Sequence, residues 1–140
     1  MKVVLDTNVF VASFFNPKGY PKKVIDLWKK GEIILCLCAE ILEEYVEVLS
    51  RLGLEGEPEM RELLGLFKKR INLEFVAIDG SLQLILEDPD DNKFIECALN
   101  AHADVVISGD KHLKELKRYK EITILSPADF IESYTLHPTP

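Results

Sequence analysis

Three apolar residues, Val3-Val4-Leu5, run without interruption into Asp6-Thr7-Asn8. An apolar run that does not alternate with polar residues suits a strand buried on both faces, and such strands belong to parallel sheets covered by helices on each side. The pattern returns late in the chain, where Asp104-Val105-Val106-Ile107 leads into Ser108-Gly109-Asp110. Residues 33–37 and 122–125 are further apolar runs of strand length. Stretches with helical periodicity separate these runs. Strands alternating with helices predict an α/β fold, a three-layer α/β/α sandwich around a parallel sheet. At 140 residues the chain suffices for one domain spanning 1–140 with its own core. The tail, 136–140, is expected to fray.

Local signals divide the chain further. A short helix is expected over 9–15, broken by Asn16-Pro17-Lys18-Gly19. Pro21 suits the first turn of the next helix, whose apolar face carries Val24, Ile25, Leu27 and Trp28 and which Gly31 ends. Residues 39–52 read as a helix stopped by Gly53, and 59–70 as a second, with Met60, Leu63, Leu64 and Phe67 in register. This helix pair has more apolar positions than one sheet face can easily cover, so Leu63, Leu66 and Phe67 are either core or a partner surface. Residues 72–79 suggest a short strand or an extended crossing, and 80–86 give no clear signal. Helices are expected over 91–101, over the basic stretch 111–119, and over 130–134 after Ser126-Pro127-Ala128-Asp129.

The net charge of −7 excludes a globally basic nucleic-acid binder. An acidic protein still acts on nucleic acid when its cleft binds divalent cations. The cations are uneven: Lys2, Lys18, Lys22, Lys23, Lys29 and Lys30 face only Asp6 and Asp26 in the first thirty residues, and Lys111, Lys114, Lys117, Arg118 and Lys120 stand with Glu115 alone in 111–120. Each cluster is a solvated face or a nucleic-acid contact. Cys36, Cys38 and Cys97 offer no zinc spacing with any histidine and read as buried free thiols of a reducing compartment. No charged-then-apolar leader and no stretch near the ~18 apolar residues of a membrane span occurs, so a cytoplasmic protein without membrane contact is expected.

Four acids stand where a cleft would form. Ligands of parallel sheets bind beyond the carboxyl ends of the strands, and Asp6 and Asp110 sit there, on one edge if their strands are neighbours. On the helix 39–52, Glu40, Glu43 and Glu47 fall on the wet side, whereas Glu44 lies at the edge of the apolar face. Asp91, Ile95 and Ala98 share one face of the helix 91–101, placing Asp91 inward at its first turn, where N–H groups are free. Each acid alone has a plainer role: Asp6 or Asp91 as a cap, Glu44 as a solvated residue, Asp110 as a turn former. Together they cannot all stay ionised without a counter-charge. Oxygen-only donors suit magnesium or manganese, ions that assist in-line displacement at phosphate esters.

The chain resembles the PIN domain family, named from the PilT N-terminus. The resemblance rests on Leu5-Asp6-Thr7-Asn8, Glu44-Tyr45 followed by Val48-Leu49, Asp88-Pro89 with Asp91-Asn92 and Phe94-Ile95, Ala103 through Asp110 with His112-Leu113, and Ser126-Pro127-Ala128 with Phe130. It covers nearly the whole chain and is nearest to small stand-alone PIN proteins described as toxins of toxin–antitoxin pairs. It implies a mostly parallel sheet of about five strands. It implies catalytic, metal-ligating roles for Asp6, Glu44, Asp91 and Asp110, with Asn8 and Ser108 orienting them. Asn92 stands where relatives often carry a further acid. The resemblance also implies Mg2+ or Mn2+ dependence, cleavage of single-stranded RNA, homodimers or higher homo-oligomers, and an antitoxin partner.

Two other readings fit part of the pattern. A haloacid-dehalogenase-type phosphatase also opens with a strand ending in Asp, but it needs an acid two residues later, where this chain has Asn8. A PIN-like module that binds RNA or protein without turnover, or an RNA-processing PIN nuclease without an antitoxin, fits the same acids.

Overall fold

The computed structural model describes residues 1–85 and 87–136. Leu86 and the tail residues 137–140, on which the expectation of fraying mostly falls, lie outside the described residues. Six strands form one sheet in the order β3-β2-β1-β4-β6-β5. They are β1 (Lys2–Leu5), β2 (Ile34–Leu37), β3 (Leu73–Phe75), β4 (Val105–Ile107), β5 (Arg118–Tyr119) and β6 (Ile122–Leu125). All pairings are parallel except β5 with β6. Among the described residues seven α-helices accompany them: α1 (Thr7–Ala12), α2 (Tyr20–Lys29), α3 (Ala39–Arg51), α4 (Pro58–Lys68), α5 (Asn92–Ala101), α6 (Lys111–Leu116) and α7 (Pro127–Leu136).

The two acid-terminated runs are adjacent at the centre. Val3, Val4 and Leu5 of β1 pair in register with Val105, Val106 and Ile107 of β4. Val3, Val4, Leu5, Val106 and Ile107 are completely buried, as an unbroken apolar run between two helical layers must be. From β1 the chain moves outward through β2 to β3, then returns across the sheet and moves outward the other way through β4 to β6. The strand order therefore reverses between β1 and β4. At such a switch point the connections leave in opposite directions and a crevice opens beyond the strand ends. By the right-handed rule for parallel crossovers, α1 to α4 cover one face, and α5 and α6 the other.

The structure amends several expectations. The sheet has six strands rather than about five. The extra one is β5, whose two residues lie in a stretch expected to be helical to Tyr119. The helix α6 stops at Leu116, where Lys117 takes a positive φ (57°) that leaves the helical conformation, and Lys120 (φ 54°) turns the chain back into β6. Asp91 does not open α5 but lies in a short 3-10 turn, Pro89–Asp91, ahead of it. The helix expected over 130–134 extends over Pro127–Leu136.

Leu63 and Phe67 are not an exposed patch. Leu63 is 1% exposed, and Phe67 stacks on Trp28 (ring centroids 5.2 Å) and approaches Phe10 (5.8 Å). Phe67 of α4 thus packs against α1 and α2. The three cysteines are buried and free, as their apolar surroundings suggest. No helix among the described residues is long and apolar enough to cross a membrane.

Candidate metal centre

Beyond the ends of β1 and β4 lies a cavity of about 200 Å3 lined by Asp6, Thr7, Asn8, Glu44, Asp88, Asp90, Asp91 and Asp110, with Val48 and Phe94. It contains all four acids singled out in the sequence. A larger hollow of about 430 Å3 adjoins it and shares Glu44 and Asp90. The other α3 acids lining that hollow, Glu40, Glu43 and Glu47, are exposed on the wet side of the helix. The four acids converge in the smaller cavity.

Asp6 both caps a helix and lines the cavity. Its Oδ1 accepts from the Val9 N–H (2.8 Å) and so caps α1, while its Oδ2 accepts from the Ser108 hydroxyl. Burial pushes the Asp6 carboxyl above the usual range, and these two donors act against that shift. Ser108 is fully buried, and its oxygen in turn accepts from the Asp110 N–H (2.9 Å). One hydroxyl thus ties the end of β1 to the turn after β4. Asp110 caps α6 through the Leu113 N–H (3.1 Å), repeating on β4 what Asp6 does on β1.

Glu44 is aimed by its neighbour. The Tyr45 hydroxyl donates to the Leu5 carbonyl, and its ring stacks on Phe10 (centroids 4.2 Å, planes 6° apart). This fixes α3 against the end of β1, one residue before Asp6. The Glu44 carboxylate then accepts from the Thr7 hydroxyl on one oxygen and from Lys93 Nζ (2.8 Å) on the other. Lys93 also reaches Asp90 (3.2 Å). Burial opposes its charge, but these two carboxylates hold the ammonium protonated above its ordinary range.

Asp88, Asp91 and Asp110 each bring one carboxylate oxygen to within 4.8 Å of the other two. Burial, then the charges of Asp110 and Asp88, push the Asp91 carboxyl up to about 8. Among the described residues its Oδ2 is buried without a hydrogen-bond partner. The groups facing it are acceptors as well, so a bond between them requires a shared proton. A buried carboxylate oxygen without a donor, among oxygens of like charge, is the environment a hard cation completes. The donor set fits magnesium or manganese: every candidate atom is a carboxylate oxygen, and no histidine or cysteine lines the cavity.

Among the described residues, the stretch that leads from β3 to Asp88 and the 3-10 turn has no helix or strand, and α5 side chains hold it. The buried Glu96 carboxylate accepts from the N–H groups of Asp79 (2.8 Å), Gly80 (3.1 Å) and Leu82 (3.3 Å). The Asn92 amide accepts from Leu84 and Ile85 and donates to the carbonyls of Ile85 and Pro89. Asn92 is therefore anchored on the acid-bearing loop rather than on an acid, whereas Asn8 is exposed at the cavity wall. Sequence reasoning missed Asp88, Thr7, Tyr45 and Lys93. A signal for Asp88 was present: Asp88-Pro89-Asp90-Asp91 spaces two acids three residues apart, which one helical turn places on one side.

A family model described as PIN domain matches residues 2–112. The chain belongs to the PIN domain family. It is also 34% identical over 152 aligned positions to an uncharacterized protein of Methanocaldococcus jannaschii, MJ1680, covering 96% of this chain and 92% of that protein. PIN domains are generally metal-dependent nucleases. This PIN domain carries, at its sheet switch point, an aspartate cluster able to take a divalent ion.

Proposed function

We propose that this PIN domain is an endoribonuclease that hydrolyses phosphodiester bonds of single-stranded RNA with Mg2+ or Mn2+, and that it is the toxin of a toxin–antitoxin pair. The observation that carries the reading is the buried Asp91 oxygen, partnerless among the described residues, within the Asp88–Asp91–Asp110 group. In this reading Asp6, Glu44, Asp91 and Asp110 are the catalytic acids, and Asp88 joins them. Asp88, Asp91 and Asp110 would hold the ion, which supplies the positive charge that stabilises phosphate oxygens during in-line displacement.

The chain's own residues do the rest. Ser108 and the Val9 N–H keep Asp6 oriented and favour its charged form. Thr7 fixes Glu44 at the rim. Asn92 and Glu96 hold the loop so that Asp88 and Asp91 stay together before substrate arrives, which lowers the ordering cost at the reacting centre. The protein acts in the cytoplasm, as a homodimer or higher homo-oligomer, until an antitoxin covers the site.

The test is cleavage of an end-labelled single-stranded RNA. Activity should vanish with chelator, return with manganese, and be absent in Asp110→Asn, which keeps the shape and removes one anionic donor. Equal RNA binding with and without metal, and no cleavage under either condition, would establish a binding module instead.

A further inference from the structure

A cleft of carboxylates repels the phosphates it is meant to cut, and the whole chain carries a net charge of −7. RNA must therefore be gathered by a local cationic surface. We propose that the RNA backbone reaches the acidic centre along the face formed by Lys111, Lys114, Lys117, Arg118 and Lys120. The proposal rests on the ribonuclease reading for the identity of the ligand.

Four groups of cations compete for this role, and the structure separates them. Lys68, Lys69 and Arg70 are exposed, but they end α4 just before β3 and so stand at the amino-terminal edge of the sheet, away from the cavity. Lys93 is nearest the acids, but its side chain is only 13% exposed and is held by Glu44 and Asp90. In the amino-terminal cluster, Lys22 pairs with Asp26 (2.7 Å) and Glu59 (3.4 Å). Lys29 there pairs with Glu59 (2.9 Å) and Glu62 (3.1 Å), and Lys2 with Glu74 (2.7 Å). What remains of that cluster is scattered: Lys18 precedes α2, Lys23 lies against the Tyr20 ring, and Lys30 follows the far end of the helix.

The group 111–120 differs on each count. All five side chains are exposed, and none forms an ion pair with a carboxylate among the described residues. Their helix starts at Asp110, which lines the acidic cavity and caps α6. Leu113 is fully buried and Leu116 half-buried, which turns Lys111 and Lys114 outward on the opposite side, one turn apart. The cations continue into β5 at the outer edge of the sheet. There Arg118 Nε donates to the Lys120 carbonyl (2.9 Å), and Lys120 Nζ lies 5.6 Å from the Tyr119 ring centre. The cations thus begin at Lys111, one residue from Asp110, and run, with Glu115 among them, to Arg118 and Lys120, which the pairing of β5 with the start of β6 places toward the amino ends of β4 and β6. Lysines in this arrangement bind phosphates and read no sequence, so the contribution is salt-dependent and indifferent to base identity.

The experiment measures anisotropy of a fluorescent single-stranded RNA in chelator, where no cleavage occurs, across a salt series. Lys111→Gln/Lys114→Gln/Arg118→Gln removes three charges from the proposed face. Lys18→Gln/Lys23→Gln/Lys30→Gln removes three exposed charges elsewhere. The first triple should weaken binding at least ~tenfold and lower the slope of log affinity against log salt by ~2, at ~0.7 for each phosphate of a single strand that is no longer neutralised. The second should change affinity less than ~twofold, since the phosphates stay neutralised as before. Arg replacements at Lys111 and Lys114 should retain binding. Equal reductions in the two triples, an unchanged salt slope, or no RNA binding by the native chain at low salt would overturn the proposal. A native chain that binds RNA through this face but never cleaves it with manganese would refute the nuclease reading and leave this inference standing. Cleavage and binding by the first triple at native levels would do the reverse.

Discussion

Replace Asp91 by asparagine and remove divalent ions. Asp91 is pushed up to about 8 in the folded protein, first by burial and then by Asp110 and Asp88, against an ordinary value of 3.8. Between those two pH values the folded chain retains a proton that the unfolded chain has released. Stability of the metal-free protein therefore falls as pH rises from about 4 to about 8, and the full cost is reached above 8. Asparagine does not titrate and removes the cost. Because the carboxyl group borders the cavity and is partly open to water, neighbouring charges are screened, and the gain at pH 8 should be ~1–2 kcal/mol. For a domain of this size that raises the melting temperature by ~3–8 °C. The assay is a set of thermal melts of both proteins in chelator at pH 4.5, 6 and 8. The difference should be near zero at the acid end and grow with pH. With manganese at pH 8 the order should invert, because only the native centre keeps its anionic donor. A pH-independent difference, or a native protein more stable than Asp91→Asn at pH 8 in chelator, would refute the reasoning.

Tyr45→Phe removes the hydroxyl that pins α3 to the Leu5 carbonyl; it should cost ~1–2 kcal/mol by denaturant unfolding and lower kcat more than it raises KM. Glu96→Gln weakens three hydrogen bonds to the N–H groups of the loop 79–82. Hydrogen exchange should speed up at Asp79, Gly80 and Leu82 ahead of the rest of the chain, with a drop of ~1–3 kcal/mol in stability. Glu44→Gln should abolish RNA cleavage, whereas Glu43→Gln, exposed on the wet side of the same helix, should leave it unchanged; equal losses would show that the site is assigned wrongly.

The central pair of strands was legible because burial on both faces demands an unbroken apolar run, and Val3–Leu5 and Val105–Ile107 have one. That Asp6, Glu44, Asp91 and Asp110 would line one cavity was legible for a related reason: acids at the ends of such runs, or at the edge of an apolar helix face, meet beyond the carboxyl ends of the strands. The strand β5 was not legible, since two residues carry no period and its existence depends on the positive φ of Lys117 and Lys120. Nor was the path of the loop before α5. Its backbone partners are the side chains of Glu96 and Asn92, so neither propensity nor periodicity within the loop encodes its shape. The amphipathic pattern of α4 showed that Leu63 and Phe67 would be covered by something. It could not show that Phe67 would pack on Trp28 and Phe10.

The acidic centre is tested most directly by titrating the metal-free chain with manganese, followed by calorimetry or by the spectrum of the free ion. We expect saturable uptake that falls at least ~tenfold in Asp91→Asn and in Asp110→Asn, because each loses an anionic oxygen from the group, and that is unaltered in Glu43→Gln. Absence of saturable uptake, or unchanged affinity in both aspartate variants, would contradict a divalent-ion centre at the end of β1 and β4.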